Sequence, residues 1–169
     1  MSRPTAAATR RATVRWWAPR VVLAALAAFA LIQLVPYGRA HANPPVRSQP
    51  RWDGARTQAL FAQACGACHS NLTTWPWYSD VAPVSWLVQH DVEDGRGRLN
   101  VSEWRQQPQP PAQRIADVVR SGTMPPLQYK LIHAEARLSS AQRAELAAGL
   151  LRTFANSPPP RIAVRHGDG

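Results

Sequence analysis

The chain of 169 residues has two cysteines, one lysine, two methionines and no acidic residue before Asp53. With no second cysteine pair, a structural zinc site lacks half of its usual ligands. No stretch alternates convincingly as a strand, so the βαβ setting of a thioredoxin-like dithiol is missing. No internal repeat is present. The net charge is +10, but it is unevenly spread. Arg3, Arg10, Arg11, Arg15 and Arg20 crowd the N-terminus, whereas from residue 43 onward 14 basic residues face 10 acidic ones. A surplus of +4 over that stretch is too mild to argue for nucleic acid. It suits an acidic protein partner or an anionic membrane surface.

What is present begins with an apolar run. Val21–Val35 reads VVLAALAAFALIQLV, with Gln33 its one polar residue and Trp16, Trp17 and Tyr37 at its edges. Such a run approaches the ~20 residues a spanning helix needs, and the arginines before it place the N-terminus inside. Residues 1–20 then form a basic, disordered cytoplasmic flank, and 21–37 a transmembrane anchor. Ala40-His41-Ala42 supports the rival reading of a cleavable signal. Either reading exports the remainder of the chain.

Residues 38–51 are a proline-rich linker, extended and exposed. The domain proper covers 52–157 and is all-α with long loops. Asp53 is placed to cap a helix through Ala55, Ala59, Leu60 and Phe61. Pro83 opens a helix through Trp86 that Gly95 ends. Asn100 and Glu103 read as a capping box before a turn with Trp104. Ile115, Val118 and Val119 mark a short helix that stops at Gly122. Ser139 and Gln142 form a second capping box, opening a helix with Ala147, Leu150, Leu151 and Phe154 on one face. Residues 158–169 form a disordered tail.

Both cysteines fall in Cys65-Gly66-Ala67-Cys68-His69. This C-x-x-C-H run is the spacing of covalent haem attachment: two thiols for the vinyl groups, and His69 for iron. A dithiol or half a zinc site would not need that histidine. Met124 is the one thioether besides the initiator, in the stiff Thr123-Met124-Pro125-Pro126 loop, and is the candidate for the opposite face of the iron. Trp75, Trp77, Tyr78, Trp86 and Tyr129 could shield a haem, and each could equally be ordinary core. His133 could bond a propionate, as could Arg96, Arg98 or Arg105. His90, His41 and His166 read as solvated.

The segments CGACHSN, TTWPWYSDVAPVSWLV, EDGRGRLNVSEW and SGTMPPLQYKLIHAEARLS resemble the haem-binding domain family of bacterial membrane-anchored c-type cytochromes, over about residues 31–154. That resemblance implies a small cytochrome c-like helical domain with one haem c. It implies Cys65 and Cys68 as covalent attachments, His69 as proximal ligand, Met124 as distal ligand, and an uncleaved anchor. The chain departs from the pattern at Asp91, where relatives carry a histidine that here sits one place earlier as His90. It departs again at Val101, which replaces a more usual phenylalanine.

The expectation is a periplasm-facing monohaem carrier of single electrons in the bacterial inner membrane. It would exchange electrons with partner redox proteins and make or break no substrate bond. The alternative is a haem sensor or peroxidase-like enzyme with an open or labile distal face. A zinc or disulfide module is the remaining rival.

Overall fold

The computed structural model describes residues 6–160, with side chains described from Trp16. Seven α-helices lie among the described residues: α1 (Ala6–Ile32), α2 (Ala55–Ala64), α3 (Gly66–His69), α4 (Val84–Arg98), α5 (Ala112–Arg120), α6 (Leu127–Ile132) and α7 (Ser140–Asn156). Short 3-10 turns at Trp77–Asp80 and Ala134–Ala136 join them. The only extended pairing described is a single bridge between Ser48 and Glu103. The all-α expectation therefore holds.

The chain divides into two compact units, neither continuous in sequence: Met1–Ala40 with Pro76–Gln89, and His41–Trp75 with His90–Gly169. In the second unit, α2 and α5 pack on α7. Leu60, Phe61 and Ala64 of α2 meet Ile115, Ala116 and Val119 of α5 and Leu146, Ala147, Leu150 and Phe154 of α7 in one apolar cluster. Trp104 closes it, edge-on to Phe154 at 4.7 Å, with its indole N–H donating to Ser157 O at 2.8 Å. Helices α2 and α7 approach so closely that a methyl on Gly149 would overlap the Thr57 hydroxyl.

Two of the local sequence signals hold as read. Ser139 Oγ accepts from Gln142 N, and the Gln142 side chain accepts from Ser139 N, completing the capping box of α7. Gly122, at φ +73°, follows the end of α5. Asp53, by contrast, does not cap α2; Gly54 holds that position without a side-chain bond. The Asp53 carboxylate is taken by Arg152, at 2.7 and 2.9 Å, and by the Thr57 hydroxyl. Asn100 starts a turn rather than a capping box, its Oδ1 accepting from Ser102 N. Helix α6 directly follows the Thr123-Met124-Pro125-Pro126 loop and is not among the helices expected from the sequence.

The N-terminal expectations change in three ways. The flank is helical from Ala6 rather than disordered. Helix α1 stops at Ile32, so Gln33–Tyr37 leave the helix. Its uncharged stretch Val21–Ile32 then rises about 18 Å against a hydrocarbon core of ~30 Å. Among the described residues no helix is long and apolar enough to cross a membrane. The linker is extended but tied to the second unit: Arg47 N and Ser48 N donate to Ser102 O, and Trp104 N to Ser48 O. Residues 161–169 of the expected tail, and His166 with them, lie outside the described residues.

Candidate functional site

Helix α2 ends as the cysteine motif begins. Cys65 N donates to Phe61 O, and Cys68 N and His69 N both reach Cys65 O, winding the motif into the single turn of α3. Both cysteines are free thiols. Burial pushes Cys65 up to about 12, with the neighbouring Cys68 adding to the effect. Burial likewise pushes Cys68 up to about 11, with Asp91 raising it further and Arg96 opposing. Neither is a nucleophilic thiolate at neutral pH, which argues against a redox dithiol.

The His69 imidazole is held from the α4 side. Its Nδ1 lies 2.9 Å from Gly95 O and 3.0 Å from Leu99 O. Carbonyls only accept, so Nδ1 carries the proton and Nε2 keeps its lone pair. Burial also depresses the basicity of His69, keeping the ring neutral. A neutral imidazole with one nitrogen anchored to backbone is the form in which histidine ligates a metal.

Gly95 reads in the sequence as a helix stop, yet α4 runs through it to Arg98. Its real service is close approach: a Cβ there would lie 2.5 Å from Cys68 O. The next residue, Arg96, is a candidate propionate partner by its position in the sequence. Instead its guanidinium donates to Ser70 O, Ala42 O, Asn43 Oδ1 and Thr73 Oγ1, all within 2.8–2.9 Å. It thereby fastens the loop after His69 to the linker. Buried Asn71, Asn100 and Ser102 extend this bonding, with Asn100 donating to Asn71 Oδ1 and Asn71 N to Ser102 Oγ. Sequence patterns do not reveal this network. Its one signal is a set of small polar residues, Ser70-Asn71 directly after the motif and Asn100 and Ser102 further along the chain.

The other candidates fall in two groups. In the unit that carries the motif, Trp75 stacks on His41 at 4.8 Å and donates to Asn43 Oδ1. Tyr129 stacks on His133 at 4.1 Å, and His133 Nδ1 lies 2.8 Å from Glu135. Gln63, two residues before Cys65, donates to Glu135 O, so this segment lies beside the end of α2. Met124 follows α5, a residue 37% exposed and outside the apolar cluster. Leu127, Leu131 and Ile132 of α6 are exposed as well, and α6 buries no residue. Trp77, Tyr78 and Trp86 belong to the other unit. Trp77 is 80% exposed, while the Trp86 indole nitrogen is buried without a hydrogen-bond partner. His90 is exposed, as is Arg98, which pairs with Asp94.

No group of three or more His, Cys, Asp or Glu side chains that could hold a metal ion occurs among the described residues. The zinc reading thus finds no ligand set. A cavity of about 310 Å³ lined by Arg51, Arg105, Asn156, Ser157, Pro158 and Pro160 does not touch the cysteine motif.

No curated protein and no solved structure matches the chain significantly. A family model described as "Haem-binding domain" matches residues 27–151, from within α1 into α7. The cysteine turn, the anchored His69 and three quarters of the chain length lie inside that match, and the chain belongs to the haem-binding domain family.

Proposed function

We propose that the chain is a membrane-attached, periplasm-facing c-type cytochrome that passes single electrons between partner redox proteins. The observation that carries this reading is His69: half-buried, neutral, and held at Nδ1 by Gly95 O and Leu99 O, with Nε2 left for iron. The donor set fits the group. Cys65 and Cys68, one helical turn apart, would hold the porphyrin through thioethers to its vinyl groups. His69 and Met124 would be the residues that ligate its iron. When bound, haem supplies a one-electron couple, and a thioether opposite histidine raises its potential.

The protein's own part is to hold and to shield. Arg96 and the Asn71–Asn100–Ser102 network fix the motif, so that little reorganises as charge changes. The exposed thioether and leucines of Met124, Leu127 and Leu131 offer apolar surface to a flat ligand. Trp75, Tyr129 and His133 are the candidate neighbours within this unit. Attachment to the bacterial inner membrane is supported by α1, whose residues are exposed on every side from Trp16 to Leu31 and uncharged from Val21. An uncleaved N-terminus is supported by Gln33, which bonds both backbone groups of Ala82 and makes the segment part of a folded unit.

The test is the full chain produced with haem-maturation machinery. Haem should stay on the denatured polypeptide, and release of all haem on denaturation overturns the covalent reading. Met124→Ala should then make the reduced protein bind carbon monoxide promptly where the native protein refuses it. An unchanged spectrum removes Met124 from the iron. The exposure of Met124 favours one second reading, a sensor or peroxidase-like protein with a labile distal face. Prompt binding of carbon monoxide by the reduced native chain would select it.

A further inference from the structure

The first unit carries a surface that electron carriage does not explain. Residues 21–40 and 76–89 contain two charged side chains, Arg39 and Asp80. Helix α1 has no polar face there, and its side chains are exposed all round. A helix that is apolar on every side belongs in a protein core or in lipid. A second copy of the chain would cover one stripe and leave the others in water, whereas a bilayer covers all of them.

The helix alone is short, but it does not end bare. Gln33, just past its last turn, donates from Nε2 to Ala82 O at 2.9 Å and accepts from Ala82 N at 3.0 Å. Gly38, at φ +86°, lets the chain pass so close to Ser85 that a methyl would overlap the Ser85 carbonyl. The segment Pro76–Gln89 is thereby seated at the C-terminal end of α1. It presents Trp77 on a bonded 3-10 turn, with Ser79 N donating to Pro76 O. Val84 and Leu87 are exposed beyond it. Tyr37 is exposed at the same end of the helix, and Trp16 and Trp17 at the other. Arg20 donates to Trp16 O and lies over the Trp16 ring at 3.5 Å, turning its charge back toward the N-terminus. Aromatic rings at both ends, with arginine folded outward, are the arrangement of a membrane-seated helix.

We infer that Pro76–Leu87 is a second lipid-contacting element, with Trp77 inserted among the headgroups of the outer face beside the end of α1. It adds apolar surface where the helix falls short of the hydrocarbon width. This rests on the proposed membrane attachment and goes beyond it, by assigning to lipid a stretch that lies after the haem motif.

The full chain reconstituted into phosphatidylcholine–phosphatidylglycerol vesicles tests it. Tryptophan emission is compared for the native protein and Trp77→Phe, using lipids brominated just below the headgroup or near the chain ends. The other six tryptophans and the haem are common to both proteins. The shallow bromines should quench a component that is absent from Trp77→Phe, and Gln33→Ala should weaken it by unseating the segment. Should the protein float with the vesicles while both forms quench alike, the segment lies in water; the inference fails and the attachment stands. If the native chain does not float, the attachment reading falls, and the inference with it.

Discussion

A methyl group at position 95 would press on the Cys68 carbonyl, a backbone atom with no side chain to move aside. Gly95→Ala should therefore destabilise the chain by about 2–3 kcal/mol, as overpacking does. It should also displace the Gly95 carbonyl that holds His69. Denaturant melts would measure the first effect and the absorbance of the loaded protein the second. The cysteines are testable one residue at a time. With Cys65 near 12 and Cys68 near 11, alkylation of the folded haem-free chain at pH 8 should run at least about a hundredfold slower than for an ordinary thiol. Mass spectrometry of iodoacetamide-treated protein, with a denatured control, reads that ratio. The ligating residues are legible because C-x-x-C-H is a local pattern. Gly95 looks like a stop because its true constraint comes from Cys68, 27 positions earlier.

Among the elements, α4 has the most to do. Its last turn and the residue just after it supply the two carbonyls for His69, from Gly95 and Leu99, and the Arg96 guanidinium that binds four acceptors. Arg96→Ala should cost about 2–3 kcal/mol, the usual effect of losing charge-assisted hydrogen bonds. Arg96→Lys should recover part of that, since an ammonium cannot span four acceptors in a fork. Hydrogen exchange over residues 70–75 and 41–43 should rise in both variants while α7 stays protected. Protection lost uniformly would mean that Arg96 serves global stability instead. Helices α5 and α7 are legible from apolar spacing and caps, because burial of one stripe determines them. Helix α6 is not: it buries nothing, so its sequence carries no core stripe to read.

At the scale of the whole molecule, Asp53 and Arg152 join the start of α2 to the last turns of α7, 99 residues apart. The guanidinium holds the Asp53 carboxyl below its ordinary range. A carboxyl depressed in the folded state binds fewer protons there than in the unfolded chain. Its stabilisation is thus complete above about pH 4 and is lost as the pH falls through the lowered folded value. Asp53→Asn should be less stable than the native protein at pH 7. The gap should close in acid, as seen in melting temperatures taken from pH 7 to pH 2. The sequence announces neither this pair nor the division into two units. Both depend on partners brought together by the fold, and Gln33 offers the one hint, as a lone amide in an apolar run that needs something to bond.

The bonds from Gln33 to Ala82 also govern how the chain can be taken apart. Each unit is made of two stretches interleaved along the sequence. No single cut separates them. Removal of residues 1–40 leaves Pro76–Gln89 without its seat, and a fusion or tag joined at Ala40 inherits that orphaned segment. Folding of the Pro76–Gln89 segment is therefore best followed in a chain that keeps Gln33 and Gly38.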